Sequence, residues 1–106
     1  MATIASVVPD LMLASRVAGS LGAAGHEVVP VSAASPVDLP PGAALGVCDL
    51  EAVDPVEVAA LPVPVLGFYS HVDVETRNAA RAAGIDLVVP RSRMARELPD
   101  LVGRLL

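Results

Sequence analysis

Two carboxylates, one arginine and a short hydroxyl-bearing stretch are the residues of this 106-residue chain best placed for chemistry. Asp10 follows the apolar segment ATIASVV and Pro9, and Asp49 follows AALGVC. Two carboxylates at the ends of buried apolar runs can offer oxygen ligands to Mg²⁺, which favours oxygen donors in near-octahedral geometry. Tyr69, Ser70 and His71 close a third apolar run, VPVLGFY, and Arg91 follows a fourth, IDLVV with Pro90. A guanidinium there can grip a phosphoryl group through two bonds, or pair with Asp49 or Asp10 and neutralise the site without metal. The static ion pair is the expectation.

Each of these residues has a plainer role to weigh. Asp10 stands where an N-cap belongs, and Asp49 can be a solvated strand-end carboxylate. Ser70, His71 and Asp73 invite a hydrolase reading, but neighbours in one loop rarely aim at a common atom, and no glycine-flanked nucleophile elbow is present. Asp10, Asp49 and His71 make a further candidate metal set. Cys48 alternates with Asp49 along a strand, so it points away from the site and packs as a small hydrophobe. His26 is expected at the surface.

Composition removes whole classes of function. All seven basic residues are Arg, which excludes Schiff-base chemistry, a phosphate-loop lysine and lysine-tethered cofactors. A net charge of −5 argues against a nucleic-acid partner, because that requires clustered positive charge. The single cysteine cannot form an internal disulfide. No apolar run reaches the ~18 residues needed to cross a bilayer, and the start lacks a basic secretory leader. The expectation is one cytoplasmic domain over residues 1–106, with no membrane partner. Hydrophobic residues make up 54% of the chain, with Phe68 and Tyr69 the only aromatics, so the core must be Ala, Val and Leu.

Five apolar segments must position the candidate residues: 2–8, 26–31, 43–48, 63–69 and 85–89. Their length and flanking punctuation read as buried strands. Between them, Asp10 opens a helix to about Ala24 with Leu13, Val17, Leu21 and Ala24 inward. Asp54-Pro55 opens a short one through Leu61, and Asp73 opens one ended by Gly84 with Ala79, Ala80 and Ala83 inward. Ser92 is placed to cap a last helix striped by Met94, Leu98, Leu101 and Leu105, kinked near Pro99. Segment 32–42 has three prolines and no helical period, so a loop is expected where a helix would otherwise lie. Pro30 removes a backbone donor and puts the second strand at a sheet edge.

This alternation implies a doubly wound α/β fold, a five-stranded parallel sheet of order 2-1-3-4-5, flavodoxin-like. Functional groups then gather beyond the carboxyl ends of the strands. GSLGAAG (19–25) is not a phosphate-cradling loop, because its glycines lie within and at the end of the first helix. The scarcity of aromatics counts against flavin.

Over nearly its whole length the chain resembles the response-regulator receiver family. VETRNAARAAGIDLVVPRS is similar to the receiver run from the fourth helix through the fifth strand, and VCDL to the segment bearing the phosphoacceptor, here Asp49. VVPD sits where receivers carry two acids that hold Mg²⁺, but Pro9 replaces the first and leaves Asp10. Arg91 stands where receivers have lysine, and Tyr69 or Ser70 stands where they have a small hydroxyl residue. These departures imply a pseudo-receiver.

The resulting expectation is a non-catalytic two-component-type signalling module that works by protein binding, independent of phosphorylation and without a cofactor. The alternative is a divergent receiver phosphorylated on Asp49 with Mg²⁺; a second is a small flavodoxin-like enzyme or ligand-binding protein. A protein partner or a second copy is expected on the last two helices, which carry Arg77, Arg81, Arg93 and Arg96 beside Glu75 and Glu97.

Overall fold

The computed structural model describes residues 1–70 and 72–106. Its elements in chain order are β1 (Thr3–Val7), α1 (Leu11–Ala23), β2 (Glu27–Pro30), β3 (Ala43–Asp49), α2 (Pro55–Ala59), β4 (Val65–Tyr69), α3 (Val74–Ala83), β5 (Leu87–Pro90) and α4 (Arg91–Leu105). The strands form one parallel sheet in the order β2-β1-β3-β4-β5. Pro30 lies on the edge strand, paired in register with Ser6, so its missing N–H leaves no gap inside the sheet. The order reverses at β1 and β3, which brings the carboxyl ends carrying Asp10 and Asp49 side by side.

Alternation along each strand feeds two apolar layers. Ile4, Leu45, Val47, Leu66, Phe68 and Val89 face α1 and α4, where Val17, Leu21, Met94, Leu98, Leu101 and Val102 meet them. Val7, Cys48 and Val65 face the other way, toward Val58 of α2, Ala80 of α3 and the turn residues Leu50 and Val53. Cys48 and Asp49 therefore point to opposite sides, as the alternation requires. Burial, followed by the nearby Asp49 charge, pushes the Cys48 thiol up to about 12.

No helix links β2 to β3. The segment runs as an irregular connection. Buried Val37 joins the second layer, and its N–H donates to Glu57 Oε1 on α2 at 2.7 Å, which fastens the loop over the sheet.

Helix starts follow the acidic caps. Asp10 Oδ1 accepts from the Met12 and Leu13 N–H groups at 2.9 and 3.0 Å, and Asp54 Oδ1 from Val56 N–H at 2.9 Å with Pro55 next to it. Gly84 ends α3 at φ 87°, a left-handed conformation that suits glycine.

Three local expectations are corrected. Ala24 and Ala79 are exposed: Ala24 lies at the C-cap, past the last turn of α1, and α3 turns the adjacent Ala80 inward instead. Ser92 does not cap the last helix: α4 begins directly after Pro90, without a side-chain cap, and Ser92 lies in its first turn. His26 is only half-exposed, and its Nδ1 accepts the Ala2 N–H at 3.2 Å. Pro99 does kink α4. The break falls at Glu97 (φ −121°, ψ 17°), two residues before the ring that lacks an N–H.

Candidate functional site

Asp49 ends β3 with 7% of its surface exposed. Its Oδ1 accepts the Glu51 N–H at 3.0 Å, and its carbonyl accepts N–H groups of Ala52 and Val53, so the chain turns sharply after the strand. Burial raises the Asp49 pKa above the ordinary carboxylate value, and the Glu51 and Asp10 charges push the same way. The Glu51 N–H and the Arg91 charge oppose them without cancelling the rise. Asp49 is thus an acid held in a place that disfavours its charge.

The close passage of that turn over the sheet depends on Gly67. A Cβ there would lie 2.6 Å from Leu50 Cδ1 and 2.9 Å from Cδ2 and Cγ, so Leu50 occupies the volume a side chain would fill. Leu50 N–H also donates to the Phe68 carbonyl at 2.9 Å, extending the β3–β4 ladder by one residue. With Leu50 seated, Glu51 is carried across the end of β4.

Glu51, not Asp10 or Asp49, meets Arg91. Its Oε1 accepts the Ser70 N–H at 2.8 Å, and its Oε2 lies 3.7 Å from Arg91 NH2. Arg91 was expected to pair with Asp49 or Asp10; among the described residues its ion pair is with Glu51. Asp49 sits too deep at the strand end, whereas Glu51, two residues on, reaches the surface where α4 starts. At this length, with both side chains partly exposed, the pair itself is worth under about 1 kcal/mol. The backbone bond from Ser70 supplies direction as well as charge assistance. One signal of Glu51's place was present in the sequence: continuing the period of two from Asp49 puts an acid on the same side.

The remaining candidates fall around this carboxylate. Tyr69 is buried at the end of β4 and Ser70 is half-buried beside it. Asp10 is exposed and engaged as the α1 cap, though near enough for its charge to act on Asp49. His71 lies outside the described residues. Asp73 caps α3: its Oδ1 accepts the Thr76 N–H at 3.0 Å and its Oδ2 the Thr76 hydroxyl at 2.6 Å, while the Ser70-His71-Asp73 set includes a residue outside those described. Those bonds hold its carboxyl below the usual value.

One oxygen of Asp10 and one of Asp49 accept backbone N–H bonds, and among the described residues no three His, Cys, Asp or Glu side chains are grouped to share a metal.

Comparison with known proteins gives the arrangement its context. Neither a protein-family model nor a curated protein sequence matches the chain significantly. Among solved structures, all of this chain superposes on NtrX from Brucella abortus, crystallised in complex with ADP, with a TM-score of 0.75 and 20% identity. It spans only 27% of the NtrX chain. The ChxR receiver domain from Chlamydia trachomatis matches 97% of this chain and is itself covered to 94%, at TM-score 0.70 and 15% identity. A response regulator CheY-like protein from Mesorhizobium loti gives TM-score 0.73 and 18% identity, with 99% of this chain and 98% of that one covered. The fold is that of a receiver domain. On that framework Asp49 ends the third strand and Arg91 follows the fifth, and the Glu51 carboxylate lies between Ser70 and Arg91. Among the described residues, no helix is long and apolar enough to cross a membrane.

Proposed function

We propose that this chain is a non-catalytic signalling module on a receiver fold that acts by binding another protein, independently of phosphorylation. The observation that carries the reading is the Glu51 carboxylate, which accepts the Ser70 N–H and faces Arg91 next to a buried Asp49. A switch needs a ligand that binds two conformations with different free energy. Here the anion is tethered to the chain and is present in every molecule, so an added phosphoryl group has fewer free donors to meet. Burial disfavours the charged form of Asp49, and one oxygen each of Asp10 and Asp49 is already engaged by backbone N–H groups.

The partner, another protein or a second copy of this chain, meets the edge of the sheet at β5. Helices α3 and α4 lie on opposite faces and flank that edge strand. They carry Arg77, Arg81, Arg93 and Arg96, with Arg93 and Arg96 held 3.5 and 3.2 Å from Glu97. A cytoplasmic setting belongs to the same reading.

Incubation with acetyl phosphate and Mg²⁺, followed by intact mass, tests it. The expected mass is unchanged. A gain of one phosphoryl group that is lost in Asp49→Asn would replace this reading with that of a divergent, phosphorylated receiver.

A further inference from the structure

Between α1 and α4, beside the Glu51–Arg91 pair, lies a cavity of about 350 Å³ lined by Leu13, Arg16, Ser70, Arg91, Ser92 and Ala95. Its volume is at the lower end of the range for small-molecule sites. Asp49 is not part of its lining, so this is a different place from the strand-end carboxylate.

The lining has a consistent chemistry. Two guanidiniums reach it from separate elements, on a chain whose net charge is −5. Arg16 has no carboxylate within ion-pair distance among the described residues, and Arg91 shares its charge with Glu51 at a loose 3.7 Å. Ser70 and Ser92 add hydroxyls. Ser92 also lies in the first turn of α4, whose N-terminal N–H groups have no side-chain cap. Leu13 and Ala95 supply an apolar wall. Guanidinium pairs match the geometry of phosphate oxygens.

We infer that this cavity binds a small phosphate monoester, its oxygens held by Arg16 and Arg91 and its organic part resting on Leu13 and Ala95. The bound anion competes with Glu51 for Arg91. Binding here does not rest on the phosphorylation-independent reading, because no bond to Asp49 is formed.

Inorganic phosphate and phenyl phosphate are the probes, each titrated at constant ionic strength into ¹⁵N-labelled protein. Saturable shifts are expected at the Ser70, Arg91 and Ser92 amides, with phenyl phosphate binding about tenfold more tightly through its buried ring. Arg16→Gln weakens both by about tenfold, the loss of one charge-assisted contact, while Arg104→Gln on the far end of α4 leaves them unchanged. Glu51→Gln removes the internal competitor and strengthens binding about threefold. Non-saturating shifts, equal affinity for the two probes, or indifference to Arg16→Gln would overturn the proposal. An unchanged or weaker affinity in Glu51→Gln would remove Arg91 from it.

Discussion

Gly67→Ala is the substitution that most sharply separates a turn seated on the sheet from one merely passing near it. The new methyl meets three atoms of Leu50 at 2.6–2.9 Å, closer than carbon atoms tolerate. Leu50 is 3% exposed and packed in the second apolar layer with Val53 and Val58, so it cannot simply swing into solvent. Overpacking of this kind costs about 1–3 kcal/mol. Replacing glycine also narrows the unfolded ensemble, which returns roughly 0.4–1 kcal/mol. The net expectation is destabilisation of about 1–2 kcal/mol, a fall in Tm on the order of 5–15 °C for a domain of this size. Leu50→Ala alone removes a buried side chain and costs about 2–4 kcal/mol. In the double variant the clash is gone, so the two effects must fail to add by about 1–2 kcal/mol. Urea unfolding of the four proteins in the cycle measures this directly. Additive effects, or a Gly67→Ala protein as stable as the parent, would refute the close approach and with it the placement of Glu51 over β4.

Three further outcomes follow from the site and its supports. Asp49→Asn is expected to stabilise the fold at neutral pH. Because the folded-state pKa of Asp49 is raised, the stability it contributes is present below the ordinary value of 3.8 and is lost as pH rises through the folded value. The advantage of Asn over Asp must therefore shrink as pH falls toward the ordinary carboxylate range, which urea melts across pH will show. Cys48, with its thiol pushed up to about 12 and fully buried, should react with an aromatic disulfide reagent only as fast as the protein opens; rapid native-state labelling would contradict its packing. Asp10→Ala loses two cap bonds to α1 and should cost about 1 kcal/mol by chemical denaturation.

Much of this architecture is written in local chemistry. Pro30 marks an edge, Asp54-Pro55 and Asp73 open helices, Gly84 closes one, and the prolines of segment 32–42 deny it a helix; each acts through its own backbone or nearest neighbours. Alternation along the strands was equally readable, which is why Cys48 and Asp49 fall on opposite layers. The sequence was less informative where a residue's role depends on distant packing. Ala79 and Ala80 are adjacent and chemically alike, so which of them faces the sheet is decided by how α3 docks, and Ala24 falls just past the end of α1. Ser92 looked like a cap, but α4 starts as soon as β5 ends. The pairing of Glu51 with Arg91 is not legible locally, because its position follows from Leu50 settling against Gly67, a contact between residues 17 apart in sequence. The strand order sets the ends of β1 and β3, which Asp10 and Asp49 follow and close, side by side, yet the ion pair of Arg91 is with Glu51.

The most direct measurement is the behaviour of the Ser70 amide. If the Glu51 carboxylate is its resident acceptor, hydrogen exchange at Ser70 accelerates in Glu51→Ala and its ¹⁵N–¹H resonance moves, whereas any shift that acetyl phosphate with Mg²⁺ produces is the same in Asp49→Asn as in the parent. A Ser70 amide indifferent to loss of Glu51, but shifted by acetyl phosphate only while Asp49 is present, would contradict the account.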